Sequence, residues 1–187
     1  EAKKDETLED KGREMFRKLE QGDPELVKIW LKFCIISIAD FQKIYDALGV
    51  QIDLTLGESF YETLLANTSK KLDSLTKEEA LGKGFDVYVV TNPDKSTAAF
   101  SVSESFPSFL LKKKDESSLY ALRDIAATEF RVKEFSPVKT IYVVGSEQTL
   151  HFRQVFAALE SLGYGKELFR HDGFGMVSLP EGKMSTR

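Results

Sequence analysis

Residues 117–187 alternate short apolar runs with amphipathic stretches, and this alternation restricts the possible folds more than any other feature of the chain. The run Ile141–Val144 is β-branched and aromatic and closes at Gly145, which predicts a buried strand. Apolar residues then recur at helical spacing up to Gly163, a residue type common at helix C-termini. These are Leu150, Val155, Phe156, Leu159 and Leu162.

A helix over about residues 121–134 is expected before this strand, and a further short strand over Met176–Leu179 after it. Strands alternating with helices indicate an α/β fold with parallel βαβ units, in which Ile141–Val144 is the central strand between strands near Tyr120 and Met176. Such sheets bind ligands beyond the carboxyl ends of their strands. The polar residues expected there are Tyr120, Asp124, Gln148, His151 and residues 183–187.

The first segment, residues 1–49, is predicted to be helical. Asp23-Pro24 places a side-chain acceptor at a helix N-cap and proline at the first helical position. Ser37–Asp40 resembles a capping box and predicts a separate third helix that ends at Gly49.

Residues 50–116 are predicted to form an insertion. Val50–Leu54 alternates as a strand would, and a helix is expected over about residues 61–75. Two apolar runs, 87–90 and 97–102, flank the turn sequence TNPD and indicate a hairpin, to which residues 109–111 would add a third strand. The last segment, 117–187, is then the βαβ part.

Composition narrows the function classes. The net charge is −4, from 26 basic and 30 acidic residues that are mixed along the chain, so no global attraction to nucleic acid is expected. No apolar run has the length of a membrane span, and a single cysteine, Cys34, allows no internal disulfide. We therefore expect a cytoplasmic protein without a membrane partner. The sequence begins without methionine, which favours a piece of a longer protein.

Two polar pairs have helical spacing. Tyr120 and Asp124 would share one face of a helix, and so would Gln148 and His151. These residues fit a binding site, but an acid in the first helical turn beside a packing aromatic, and a histidine that caps or packs, explain the same spacing. No metal-ligand spacing, nucleophile–His–acid set, GxGxxG or GxxxxGK[ST] occurs. The residues alone indicate a nucleotide-compatible α/β domain.

The final residues, GKMSTR at 182–187, resemble the KMSKS loop of class I aminoacyl-tRNA synthetases, in the form common in bacterial arginyl-tRNA synthetases. Other blocks are similar to segments of that family in the same order. They are LEQGDPELVKIWLKF, FQKIYDALGV, GESFYE, SSLYALRDIAA, IYVVGSEQTLHFRQVFAAL and HDGFGMVSL. The resemblance implies the second half of a Rossmann-like catalytic domain with an N-terminal helical segment and an inserted α+β part.

It also implies the residue roles for an enzyme that joins arginine to tRNA(Arg) through an arginyl-adenylate. Asp124 would pair with the substrate guanidinium and Glu58 would be a second acid near it, with Tyr120 packing and hydrogen-bonding alongside and Gln148 facing the amino acid. The nucleotide site would take ATP, with Mg²⁺ expected in the full enzyme. Its residues would be the strand backbone at Gly175, Met176 and Val177, then His151, and in the mobile loop Lys183 and Ser185, which would stabilise the pyrophosphate leaving group.

Three features depart from the family pattern. The HIGH-like motif is absent, since His151 and His171 are the only histidines; the chain stops inside the KMSKS-like loop; and Lys114–Ser117 lacks the expected glycine. We therefore expect the isolated piece to be inactive and to pair with the missing half of its own catalytic domain. The alternatives are a non-catalytic interaction or regulatory module derived from a synthetase fold and an unrelated α/β nucleotide-binding protein.

Overall fold

The computed structural model describes residues 6–114, 118–175, 178–179 and 182–183. The chain divides into two compact units, Glu1–Thr55 and Leu56–Arg187, here called the helical unit and the α/β unit. The three-segment division expected from the sequence stays a prediction.

The helical unit consists of helices α1 (Glu6–Glu20) and α2 (Pro24–Leu48). Asp23 caps α2, because its Oδ1 accepts from the backbone N–H groups of the next two non-proline residues at 3.1 Å each, and Gly49 ends it in the left-handed conformation with φ 65°. The separate helix predicted from Ser37 is wrong: no proline or glycine interrupts residues 25–48, so the helix continues through Ser37–Asp40. The predicted strand Val50–Leu54 is also wrong, as these residues form no ladder.

The α/β unit begins with a 3₁₀ helix (Glu58–Leu64), followed by α3 (Leu65–Asp73) and α4 (Lys77–Lys83). An antiparallel sheet follows in the order β1 (Val87–Thr91), β2 (Thr97–Ser101) and β3 (Phe109–Lys112). This confirms the predicted hairpin and its third strand. The turn places Lys95 at φ 69°, and Asp94 Oδ1 accepts from Ser96, both from its backbone N–H at 3.0 Å and from its hydroxyl at 2.6 Å.

The remaining elements contain one βαβ unit. Helix α5 (Tyr120–Phe135) leads to β4 (Thr140–Gly145), and after a 3₁₀ turn helix α6 (Thr149–Ser161) leads to β5 (Phe169–Phe174). Strands β4 and β5 pair in parallel with Tyr142 opposite His171. Two short strands, β6 (Ser178–Leu179) and β7 (Gly182–Lys183), pair antiparallel near the C-terminus.

Strand β4 is parallel, as expected, but its neighbours were predicted incorrectly. Its partner among the described residues is β5, whereas Tyr120 begins a helix and Ser178–Leu179 pair with β7. Only one face of β4 is covered: Tyr142 is 9% exposed against α5 and α6, while Ile141 and Val143 on the other face are 51% and 69% exposed. The buried strand predicted from this run is therefore buried on one face only. Met176 and Val177 lie outside the described residues.

One hydrophobic core in the α/β unit joins the sheet of β1, β2 and β3 to the sheet of β4 and β5 and to their helices. Its members come from α3, the antiparallel sheet, α5, α6 and β5, and the largest include Leu72, Val87, Leu111, Ile125 and Leu159, all at most 1% exposed. Helices α5 and α6 contribute to this core along one face each, which fixes the relative positions of their N-terminal turns. None of the helices among the described residues has the length and apolar character needed to cross a membrane.

Candidate functional site

The N-terminal turns of α5 and α6 bring three of the predicted site residues together. Asp124 Oδ2 lies 2.6 Å from His151 Nε2, and the Tyr120 ring meets the His151 ring edge-on with centroids 5.4 Å apart. The His151 side chain is 14% exposed and that of Asp124 39%, whereas Tyr120 is 65% exposed. The cluster is therefore mostly shielded from solvent at His151 and open at Tyr120, from which side a small ligand can approach. We call it the Asp124 cluster.

The sequence produces this cluster through two helix starts. Helix α5 begins at Tyr120, so Asp124, four residues later, shares its face one turn further on. Asp124 therefore stands in the second turn, so it is not the first-turn acid of the alternative explanation, in which the helix dipole would favour a negative charge. Helix α6 begins after a 3₁₀ turn in which the Thr149 hydroxyl donates to the Ser146 carbonyl at 2.6 Å, and His151 is its third residue.

A line of hydrogen bonds holds the backbone of Asp124. The Thr128 hydroxyl donates to the Asp124 carbonyl at 2.7 Å, so the Tyr142 hydroxyl, 2.5 Å away, must donate to Thr128. Arg131 donates to the Tyr142 hydroxyl at 3.5 Å and to the Tyr61 hydroxyl at 3.4 Å. Burial raises the pKa of Tyr142, which keeps its hydroxyl protonated as the donor that Thr128 needs. The sequence did not predict this chain of hydrogen bonds.

Aromatic rings support the imidazole of His151. Phe152 packs edge-on against it with centroids 5.4 Å apart, and the same Phe152 ring stacks on His171 at 4.8 Å and touches Tyr142 at 4.9 Å. The His171 Nε2 donates to the Val144 carbonyl at 3.0 Å. The two histidines therefore pack on one phenylalanine but have different polar partners.

Glu58, the second predicted acid, lies at the start of the 3₁₀ helix and is paired inside the chain. Its Oε2 is 3.4 Å from Arg123 Nη1, and Glu62 Oε2 is 3.4 Å from Arg123 Nη2. Arg123 is the neighbour of Asp124 on α5, and its Nε also donates to the Ser118 hydroxyl at 3.2 Å. Glu58 is thus attached to the helix that carries Asp124, and its exposed carboxylate already contacts a guanidinium, the group it is predicted to recognise.

The other predicted residues lie around the ends of β4 and β5. Gln148 ends the 3₁₀ turn and is exposed one turn before His151, and Gly175 follows β5 in an exposed position. The ends of the two strands are in close contact: a Cβ on Gly173 would stand 2.9 Å from Ser146 Oγ and 3.2 Å from its Cα, so any side chain there would force Ser146 to shift. Lys183 is placed as part of β7, and Ser185 lies outside the described residues.

Among the described residues no group of three or more His, Cys, Asp or Glu side chains could hold a metal ion. The Asp124 cluster supplies one carboxylate and one imidazole that already bind each other. The described residues therefore do not fit a protein-built Mg²⁺ site.

Comparison with known proteins identifies the class to which this fold and site belong. The family described as "tRNA synthetases class I (R), catalytic domain" matches residues 1–187, and the chain belongs to that family. The resemblance expected from the sequence is thereby confirmed.

The particular relatives are arginine–tRNA ligases. The chain is 41% identical over 189 residues to that of Clostridium acetobutylicum and 37% identical over 190 residues to that of Chloroflexus aggregans, in each case over 100% of this chain and 31% of the relative. The chain thus spans about a third of the length of these curated relatives.

Solved structures confirm the fold. The crystal structure of arginyl-tRNA synthetase from Plasmodium falciparum matches with a TM-score of 0.68 and 24% identity, over 91% of this chain and 29% of that one. The structure described as a putative arginyl-tRNA synthetase from Campylobacter jejuni matches with a TM-score of 0.55 and 18% identity, over 74% of this chain and 28% of that one. The α/β fold class expected from the sequence, a Rossmann-like class I synthetase fold, is confirmed.

Proposed function

We propose that this chain is part of the catalytic domain of a cytoplasmic arginine–tRNA ligase. The complete enzyme would activate arginine with ATP to arginyl-adenylate and transfer the arginyl group to tRNA(Arg). Family membership supports the reaction class. The observation that supports arginine as the amino acid is the Asp124 cluster, an oriented carboxylate beside an exposed aromatic ring at the start of α5.

The chemistry of the cluster suits a guanidinium. A planar cationic fork is bound best by carboxylates in fixed positions, and such a site discriminates against the point charge of lysine. Asp124 uses one oxygen for His151 and keeps a second for the ligand. Tyr120 offers an exposed ring on which a guanidinium or its aliphatic stem can pack. Glu58 would supply a second carboxylate, and Gln148 an amide at the strand end.

The nucleotide would lie beyond the ends of β4 and β5, where open α/β sheets bind ligands. We propose the backbone of Gly175, Met176 and Val177 for adenine, with Lys183 and Ser185 stabilising the pyrophosphate that leaves when the arginine carboxylate attacks the α-phosphorus. Lysine suits this role because its ammonium acts as a compact positive charge. The chain's own contribution to rate would be positioning and charge stabilisation.

The other proposed partner is the rest of the enzyme's own catalytic domain. The chain covers 31% of the length of its relatives, and α2 exposes large apolar side chains along its whole length. Segments of a longer protein would cover this surface. We expect the 187-residue chain alone to give no arginine-dependent exchange of pyrophosphate into ATP, because its sequence has no HIGH-like pair of histidines.

The test uses the complete ligase with tRNA(Arg) present and measures arginine-dependent ATP–pyrophosphate exchange. Asp124→Asn keeps the shape of the side chain and removes its charge. Losing one partner of a desolvated charge pair costs about 2–5 kcal/mol, so the KM for arginine should rise at least about thirtyfold while the KM for ATP stays within about twofold.

Asp73→Asn is the matched control, since the Asp73 side chain is 38% exposed against 39% for Asp124 and also pairs with one base, Lys112. It should leave both KM values unchanged. A complete protein without arginine-dependent exchange would reject the proposed function in favour of a non-catalytic module. An Asp124→Asn enzyme with an unaltered KM for arginine would remove Asp124 from the site.

A further inference from the structure

The contact between Asp124 and His151 joins the two helices of the site, but His151 itself has been given no part in binding the amino acid. Resemblance assigns His151 to the nucleotide, yet its described partners are Asp124, Tyr120 and Phe152. We infer that His151 is a positioning residue for the amino-acid site: its Nε2–H fixes the Asp124 carboxylate so that the second oxygen meets the substrate guanidinium. This inference rests on the proposed function.

The direction of the hydrogen bond follows from the groups involved. An ionised carboxylate only accepts, so Nε2 must carry the proton, whether the ring is neutral or charged. At 2.6 Å the contact is as short as a charge-assisted hydrogen bond. It therefore holds Oδ2 strongly, and it does so from the buried side of the cluster, because His151 is less exposed than Asp124.

The imidazole can orient Asp124 because it is itself fixed. Its ring meets both Tyr120 and Phe152 edge-on. Phe152 in turn stacks on His171 of β5 and packs tilted against Tyr142 of β4. On the opposite side, Thr128 holds the Asp124 carbonyl. Both the main chain and the carboxylate of Asp124 are thus constrained before any ligand binds, which lowers the entropy cost of binding.

Two substitutions of His151 separate the hydrogen bond from packing. The terminal amide nitrogen of glutamine can reach the place of Nε2, whereas the amide of asparagine is one methylene shorter and cannot. A hydrogen bond to a charged group is worth enough to expect a rise of about tenfold to a hundredfold in the KM for arginine in His151→Asn, measured by exchange in the complete ligase. His151→Gln should restore most of the affinity, and the KM for ATP should stay within about twofold of the original enzyme in both.

His171→Asn is the control for the loss of an imidazole. His171 stacks on Phe152, which also contacts His151, but its Nε2 donates to the Val144 carbonyl and not to Asp124. It should leave the KM for arginine within about twofold. Melting temperatures are measured for every variant, and if His151→Asn melts early, His151→Leu takes its place as the variant without a donor.

Three results would overturn the inference. An unchanged KM for arginine in His151→Asn would show that the hydrogen bond does not serve the amino-acid site. Equal impairment of the asparagine and glutamine variants would show that packing, not the donor, matters. A raised KM for ATP with unchanged arginine kinetics would return His151 to the nucleotide. An original enzyme without any arginine-dependent exchange would instead reject the proposed function, and the role of His151 with it.

Discussion

The two units of the chain use apolar residues in opposite ways. Helix α2 has no buried residue, although it carries Phe33, Ile35 and Ile36, which are 63%, 67% and 50% exposed. In the α/β unit, Leu72, Ile125 and Leu159 are all fully buried in one core. Apolar residues of the same kinds therefore end in different environments.

The difference shows which interactions maintain each unit. The boundaries of α2 depend on local interactions, the Asp23 cap at its start and Gly49 at its end. Most helices in proteins gain their stability from packing an apolar face, and α2 has little of that among the described residues. The α/β unit buries these side chains in a core of its own, although β4 leaves Ile141 and Val143 exposed on its other face. A single class of substitution should thus have very different effects in the two units.

The largest difference is expected for truncation of a buried isoleucine. Ile125→Ala in α5 leaves a cavity in the core and should lower the free energy of unfolding by about 2–5 kcal/mol. Ile35→Ala in α2 should change it by less than about 0.5 kcal/mol, because the side chain is already exposed. Urea unfolding of the 187-residue chain, followed by circular dichroism, measures both. Equal losses would show that α2 is buried in solution.

A smaller loss is expected when the buried carboxylate of Glu129 loses its charge. Its oxygens accept from the Thr68 hydroxyl at 2.6 Å, Lys71 Nζ at 2.7 Å and the Tyr164 hydroxyl at 3.1 Å. Glu129→Gln keeps the volume but replaces one acceptor by a donor, so about 1–3 kcal/mol of stability should be lost in urea unfolding. Glu134→Gln on the exposed side of α5 is the control and should be neutral. Similar stability of both variants would mean that the hydrogen bonds from Thr68, Lys71 and Tyr164 to Glu129 are dispensable.

The contact between Tyr164 and Glu129 predicts that the folding stability depends on pH in the alkaline range. Burial and the neighbouring Glu129 raise the pKa of Tyr164 to about 12. Because the folded pKa lies above the unfolded value of about 10, the contribution to stability is complete below pH 10 and is lost as pH rises toward 12. Tyr164→Phe should remove the component that titrates last when tyrosinate absorbance is followed against pH. If the component with the highest pKa persists in the phenylalanine variant, the assignment to Tyr164 is wrong.

Most features that the sequence predicted correctly depend on neighbouring residues, and most features that it missed depend on tertiary packing. Asp23-Pro24 and Gly49 located the ends of α2, and the TNPD turn located the hairpin. Strand β5 was missed because FRHDGF is polar and does not alternate, and its pairing with β4 comes from tertiary structure. The residues of the Asp124 cluster were proposed, but the partnership of Asp124 with His151, 27 residues away, required the packing of α5 on α6.

A small effect is expected at the N-cap of α2, and it tests whether local interactions maintain the helical unit. Asp23→Ala removes the acceptor of two backbone N–H groups, which costs about 0.5–1 kcal/mol at an exposed helix end. The ellipticity at 222 nm should fall slightly as the first turn of α2 frays, and Asp23→Ser should restore it because serine caps nearly as well. In this unit, then, removing a cap should cost more than removing the apolar side chain of Ile35. If Ile35→Ala proves more costly than Asp23→Ala, packing rather than capping maintains α2, and the contrast between the two units disappears.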